Sequence, residues 1–226
     1  MFDLESVQEN IGYVFRDTAY IRCAMTHSSA VRGIGSGLDY ERLEFLGDRV
    51  VNLVIADLLF KIFKHENEGM LAKRHTALVR GETLAAAAMA MNLGDYVVLS
   101  DAERAAGGSR NINILGDIME AVTAAIYLDG GFNEAESFIE RSLGDMLHKM
   151  TEPPRDPKTV LQEWSQSKDL GLPVYELTGQ TGYDHAPLFT VQVSVQGYAP
   201  QTAVGSSKQK AEKAAAMAMI TALDIQ

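Results

Sequence analysis

Five carboxylates stand in two short stretches of this chain at helical spacing. Glu41, Glu44 and Asp48 fall at i, i+3 and i+7 within Glu-Arg-Leu-Glu-Phe-Leu-Gly-Asp-Arg-Val (41–50), and Asp117 and Glu120 fall at i, i+3 further on. Such spacing puts each group on one stripe of a helix. Leu43, Leu46, Val50, Val54 and Leu58 fill other faces of the first segment, and Ile118, Ala121, Ala124, Ala125 and Leu128 those of the second. Isolated acids at this spacing are ordinarily a solvated face. Here they lie among apolar residues, and a carboxylate taken out of water needs a partner. If the two helices cross, four or five carboxylates meet, and like charges that close either hold protons or recruit a cation. Oxygen-only donors suit a hard divalent ion, Mg2+ with Mn2+ as a substitute.

The elements that must position these acids are legible in outline. All six prolines lie after residue 152, so the first two-thirds reads as an all-helical domain. Helices are expected near Leu4 to Ile11, Thr18 to Met25, Tyr40 to Phe63, Met70 to Val79, Gly81 to Met91, Ile112 to Leu128 and Asn133 to Met150. Arg32 to Gly37 is glycine-rich but follows no strand, so it reads as a flexible loop and not a phosphate cradle. Thr26-His27-Ser28-Ser29 lacks any triad context and reads as a helix-to-loop transition with a hydrogen-bonded histidine. Gly107 to Arg110 reads as a mobile turn.

The periodicity then changes. Residues 1–150 make the helical domain, 151–157 a proline-rich linker, and 158–226 a second domain. The second domain reads as helix (Lys158 to Ser167), three strands (Val174 to Thr178, Leu188 to Gln196, Ala199 to Val204) and an alanine-rich helix (Ser207 to Leu223). Phe189, Val191, Val193 and Val195 alternate with Thr190, Gln192, Ser194 and Gln196, the mark of a strand with one buried face. The fold class is therefore multidomain: all-α, then a small α+β module in the order α-β-β-β-α, with both helices on one side of the sheet.

Bulk properties narrow the setting. Cys23 is the only cysteine, which excludes an intrachain disulfide and a cysteine-built zinc site. The first ten residues have no basic run before an apolar core, and the longest apolar run, Leu84 to Met91, is too short to span a membrane. A soluble cytoplasmic protein with no membrane partner and no organic cofactor is expected. Net charge is −10, divided as 14 Lys and Arg against 22 Asp and Glu in residues 1–150 and six against eight in residues 151–226. That acidity argues against a nucleic-acid partner unless cations are placed locally.

Glu41-Arg-Leu-Glu-Phe-Leu-Gly-Asp48, with Asn113-Ile-Leu-Gly-Asp117-Ile-Met-Glu120-Ala and Tyr127-Leu-Asp-Gly-Gly-Phe132, resembles bacterial ribonuclease III. Thr159-Val-Leu-Gln162-Glu163, Gly182-Tyr-Asp-His185-Ala-Pro187 and Gly205-Ser-Ser-Lys208-Gln-Lys210-Ala-Glu-Lys213 resemble that family's double-stranded-RNA-binding domain. The resemblance implies a Mg2+-dependent, homodimeric endoribonuclease that cuts both strands of double-stranded RNA. Its products would be 5′-phosphate and 3′-hydroxyl ends with short 3′ overhangs, and its roles rRNA precursor processing and mRNA processing or decay. It places the metal ligands at Glu44, Asp48, Asp117 and Glu120, with Asp48, Glu120 and Glu41 catalytic, Glu41 as a supporting acid near the substrate. Glu44, Asp117 and Glu120 would hold the principal ion, while Asp48 orients the water or shares a second ion.

Phe45 would pack into the partner subunit. Gln162, Glu163 and the loop at His185 would meet minor-groove hydroxyls, and Lys208, Lys210 and Lys213 the phosphates, because A-form duplex hides its base edges. Four departures stand out. Tyr40 replaces a common Asn, which leaves Asp39 to cap the helix, and Arg49 replaces a common Ser and is expected to project about 100° away from Asp48. Gln209 replaces a lysine, and the module's net charge of −2 is low for an RNA binder. Two other readings stay open: an RNA-binding protein of the same fold that does not cut, and an unrelated helical hydrolase of small phosphoesters.

Overall fold

Apolar spacing and side-chain caps account for the helices of the amino-terminal half. The computed structural model describes residues 3–31, 39–183 and 186–225, so the Arg32–Gly37 loop and His185 lie outside the described residues. The chain divides after Pro154 into two compact units with separate hydrophobic cores. In the first unit, α1 (Leu4–Ile11) and α2 (Thr18–Ala24) start from Asp3 and Asp17, whose carboxylates accept from backbone N–H groups. α3 (Tyr40–Ile62) starts from Asp39, which accepts from Arg42 N at 2.8 Å, the cap expected there. α4 (Glu68–Val79), α5 (Gly81–Ala90), α6 (Asp101–Ala105), α7 (Ile112–Gly130) and α8 (Phe132–Lys149) follow.

α7 is the hub. Ile114, Leu115, Ile118, Met119, Val122 and Ile126 alternate with alanines small enough to let α3, α5, α8 and α2 pack around it. Asp129 near its end accepts from Tyr13 Oη at 2.7 Å, Arg16 N at 2.9 Å and Asp17 N at 2.8 Å, which ties the α1–α2 connection to α7. Arg74 of α4 is 1% exposed and forks onto Glu66, with Nε at 2.8 Å and an Nη at 2.6 Å. Its guanidinium lies 3.7 Å from the Phe63 ring centroid and donates to the carbonyls of Met150 and Thr151, which fixes the chain leaving α8.

Two stretches differ from expectation. α6 has too few residues to show a period, although Ser100 three places before Glu103 is a capping pattern, and Ser100 Oγ accepts from Glu103 N. Gly108–Arg110, entered from Gly107, is a packed 3-10 turn and not a loose one. Gly108 is buried there, and a Cβ on Gly94 would lie 2.1 Å from the Ser109 carbonyl oxygen. No helix among the described residues is long and apolar enough to cross a membrane.

The second unit runs α9 (Pro157–Ser167), β1 (Val174–Tyr183), β2 (Ala186–Ser194), β3 (Gln201–Gly205) and α10 (Lys208–Ala222), the α-β-β-β-α order read from the sequence. The sheet is antiparallel in the order β1-β2-β3, with Leu177 opposite Val191 and Val191 opposite Ala203. Val191, Val193 and Val195 bury one face against Leu161 of α9 and Ala211, Ala215, Ala216 and Met219 of α10. Both helices therefore cover the same side. Trp164 packs at the edge of this core, its ring 5.5 Å from that of Tyr198.

Candidate metal centre

α3 and α7 bring together one carboxylate oxygen each from Glu44, Asp117 and Glu120, all within 4.8 Å of one another. The approach has a cause in residue type. A Cβ on Gly47 would lie 1.9 Å from the carbonyl oxygen of Glu120, so the two helices touch backbone to backbone one turn from Glu44. Any side chain at position 47 would hold the carboxylates apart.

All three acids are half-buried, and each carboxyl is pushed above the usual carboxylate range. Burial is the main cause in each case. It takes Glu120 up to about 8, helped by the charges of Asp48, Asp117 and Glu44 and opposed by Arg49. Glu44 is raised by burial and then by Asp117, Glu41 and Asp48. Asp117 is raised by burial while His27 pulls it back. A cluster of this kind either keeps a proton or takes a cation, and three oxygen donors suit a hard divalent ion.

Not all five acids converge. Glu41 is exposed and stands outside the trio, where its charge still acts on Glu44. Asp48 lies outside the trio with its oxygens engaged, Asn52 Nδ2 donating to Oδ1 at 2.9 Å and the Arg49 guanidinium pairing with Oδ2, while its charge still acts on Glu120. The expectation that Arg49 points away from Asp48 is thus corrected. A turn of 100° separates the two Cβ atoms, but the long side chain swings back to the nearest carboxylate and lies 4.3 Å from the Phe45 ring centroid. Phe45 itself is 64% exposed.

Three residues received no site role from the sequence. Asn52 follows Asp48 by four, and Tyr40 precedes Glu44 by four, so helical spacing was the available clue for both. Gly47 offered none, because its partner is a backbone 73 residues away in sequence.

In the second unit, Gln162 and Glu163 lie on the exposed face of α9, and Lys208 and Lys210 on the exposed first turn of α10. Lys213, one turn on, donates to Asp156 at 2.7 Å, and Glu163 pairs with Arg155. Burial pulls the Asp156 carboxyl up, but Lys213 and the N–H groups of Lys158 and Thr159 outweigh it and hold the group below its ordinary range. Ser207 caps α10 by accepting from Lys210 N at 3.2 Å, so the lysines sit at a helix N-terminus.

Comparison with known proteins gives the same division. Residues 17–147 match the family model described as ribonuclease-III-like, and residues 157–223 that of the double-stranded RNA binding motif. The ribonuclease 3 of Ehrlichia ruminantium (strain Welgevonden) is 42% identical over 219 residues, 97% of this chain and 96% of that protein. That of Nitrobacter winogradskyi is 43% identical over 218 residues, 96% of this chain and 82% of its own length. The crystal structure of the nuclease domain of ribonuclease III from Campylobacter jejuni superposes with a TM-score of 0.59 at 36% identity, over 65% of this chain and 97% of that domain. With both modules matched in order and relatives aligned over at least 96% of this chain, the chain belongs to the ribonuclease III family, as an endoribonuclease carrying a double-stranded-RNA-binding domain.

Proposed function

We propose that this chain is a divalent-metal-dependent endoribonuclease that hydrolyses both strands of double-stranded RNA as a homodimer, leaving 5′-phosphate and 3′-hydroxyl ends with short 3′ overhangs. The observation that carries this reading is the convergence of Glu44, Asp117 and Glu120 within 4.8 Å at the α3–α7 crossing. Those three would hold Mg2+, with Mn2+ as a substitute. When bound, a divalent ion supplies a lowered pKa for water and neutralisation of phosphate oxygens. The protein's contribution is placement. Gly47 sets the distance between the ligand-bearing helices, and Asp48, steadied by Asn52, is left to orient the attacking water. Glu41, exposed on the same stripe, faces substrate as a supporting acid.

Residues 1–150 are assigned as nuclease and dimerisation domain, 151–157 as linker and 158–226 as RNA-binding domain. Phe45, Leu53 and Phe60 are 64%, 59% and 73% exposed on one broad side of α3, an apolar stripe that a second copy would cover. The nuclease domain of the Campylobacter jejuni relative has a region involved in dimer formation, which supports that occupant. Gln162 and Glu163 are assigned to 2′-hydroxyls of the minor groove, with His185, and Lys208, Lys210 and Lys213 to phosphates. Processing of rRNA precursors and processing or decay of mRNA in the cytoplasm are the proposed roles.

Digestion of a long, perfectly paired RNA with Mg2+ against chelator, followed by end-group analysis, tests the reading. Glu120→Gln should abolish Mg2+-dependent turnover while RNA is still bound. Binding of duplex RNA with no Mg2+-dependent cleavage by the wild type would leave the non-cutting binding protein as the correct reading.

A further inference from the structure

Tyr40 stands one helical turn before Glu44 on α3 and is 3% exposed. Its hydroxyl is buried and finds no hydrogen-bond partner in the protein, one of two such side-chain atoms among the described residues. A phenol sealed off in this way ordinarily has a partner, from the protein, an ordered water or a bound group. The surroundings show which. Tyr40 and Glu44, at i and i+4, share one side of α3, the side that carries the carboxylate trio, and burial followed by the charges of Asp117, Glu44, Glu120 and Glu41 pushes the phenol well above its usual range.

The ring cannot easily turn elsewhere. Its edge meets the His27 imidazole at a centroid distance of 5.3 Å and an interplanar angle of 66°. His27 is fixed in turn by Ser29 N, which donates to Nδ1 at 3.2 Å, by the Ser29 hydroxyl 2.9 Å from Nδ1, and by its backbone N–H, which donates to the Val98 carbonyl at 3.0 Å. The Thr26–Ser29 stretch therefore acts as a brace behind the phenol.

We propose that Tyr40 is a positioning residue of the metal site: its hydroxyl donates a hydrogen bond to a water held between the phenol and the Glu44–Asp117–Glu120 carboxylates, closing the inner side of the cation's surroundings. This rests on the metal reading of that cluster. A water there satisfies the orphaned donor and accepts from it while donating to carboxylate oxygens, the pattern by which outer partners orient metal ligands. With no cation bound, the buried hydroxyl contributes little beyond packing.

The test is a Mn2+ titration of the full chain followed by electron paramagnetic resonance, with wild type, Tyr40→Phe and Glu120→Gln in parallel, together with melting temperatures in chelator. Tyr40→Phe should weaken Mn2+ binding roughly tenfold, with a melting temperature in chelator equal to or above that of wild type. Wild-type Mn2+ affinity in Tyr40→Phe overturns the proposal. So does a weakened affinity that comes with a lower melting temperature in chelator, since that marks a packing role. If wild type and Glu120→Gln bind Mn2+ alike, the metal reading fails, and the proposal with it.

Discussion

Glu120 sets the charge state of the cluster, because burial lifts its pKa from 4.5 to about 8. A raised carboxyl means that the folded state keeps a proton the unfolded chain gives up. Folding stability therefore falls as pH rises from about 4.5, the unfolded value, through about 8, the folded one. In chelator, the melting temperature of wild type should drop relative to Glu120→Gln as pH is raised across that window, since glutamine has no proton to lose. Parallel melting curves would mean that the carboxyl is not held in this environment. Asp129 should show the opposite sign. Burial raises it, but the N–H groups of Arg16 and Asp17 and the Tyr13 hydroxyl outweigh this and hold it low, so its contribution is present at neutral pH and is lost on acidification. The acids were legible as spacing on two helices, and Glu44, Asp117 and Glu120, the three that meet, were the ones expected to hold the principal ion. How Asp48 is held was not legible, because it depends on Arg49 folding back and on Asn52, both of which engage its carboxylate.

The crossing of α3 and α7 turns helical stripes into a site, and Gly47 is its contact point. Gly47→Ala would drive a methyl into the Glu120 carbonyl, and neither helix backbone can move without moving buried neighbours. A destabilisation of about 3 kcal/mol, read from urea denaturation, should accompany loss of cleavage. Full stability with full activity would show that the helices can separate freely. Arg74 makes the analogous case away from the site. Arg74→Ala leaves Glu66 without its forked partner and opens two carbonyls, and should lower the melting temperature, whereas Arg74→Lys keeps the charge but not the fork. Helices with long apolar periods were legible to within two residues at each end. β1 was not, since Gly179 and Gly182 weaken any strand pattern; pairing with β2 carries it to Tyr183, past an irregularity between Leu177 and Gly179. No local propensity could show that, because the supporting hydrogen bonds come from a strand still to be made.

At the scale of the whole molecule, a chain of net charge −10 must bind a polyanion through a few well-placed cations. The RNA-binding unit spends several of its own internally: Arg155 pairs with Glu163, Lys158 with Glu212 and Lys213 with Asp156. An ammonium already paired releases little when it meets a phosphate, because the abandoned carboxylate recruits a cation from solution in exchange. Lys208, exposed at the start of α10, is in no ion pair among the described residues and has no such exchange to make. The two lysines should therefore differ in a way that affinity alone does not reveal. In duplex-RNA titrations over a range of KCl concentrations, Lys208→Ala should flatten the slope of log K against log salt by about one. Lys213→Ala should weaken binding with a distinctly smaller change of slope, and Asp156→Asn should steepen it. Equal slope changes for Lys208→Ala and Lys213→Ala would mean that the Asp156 pair is already broken in the free protein.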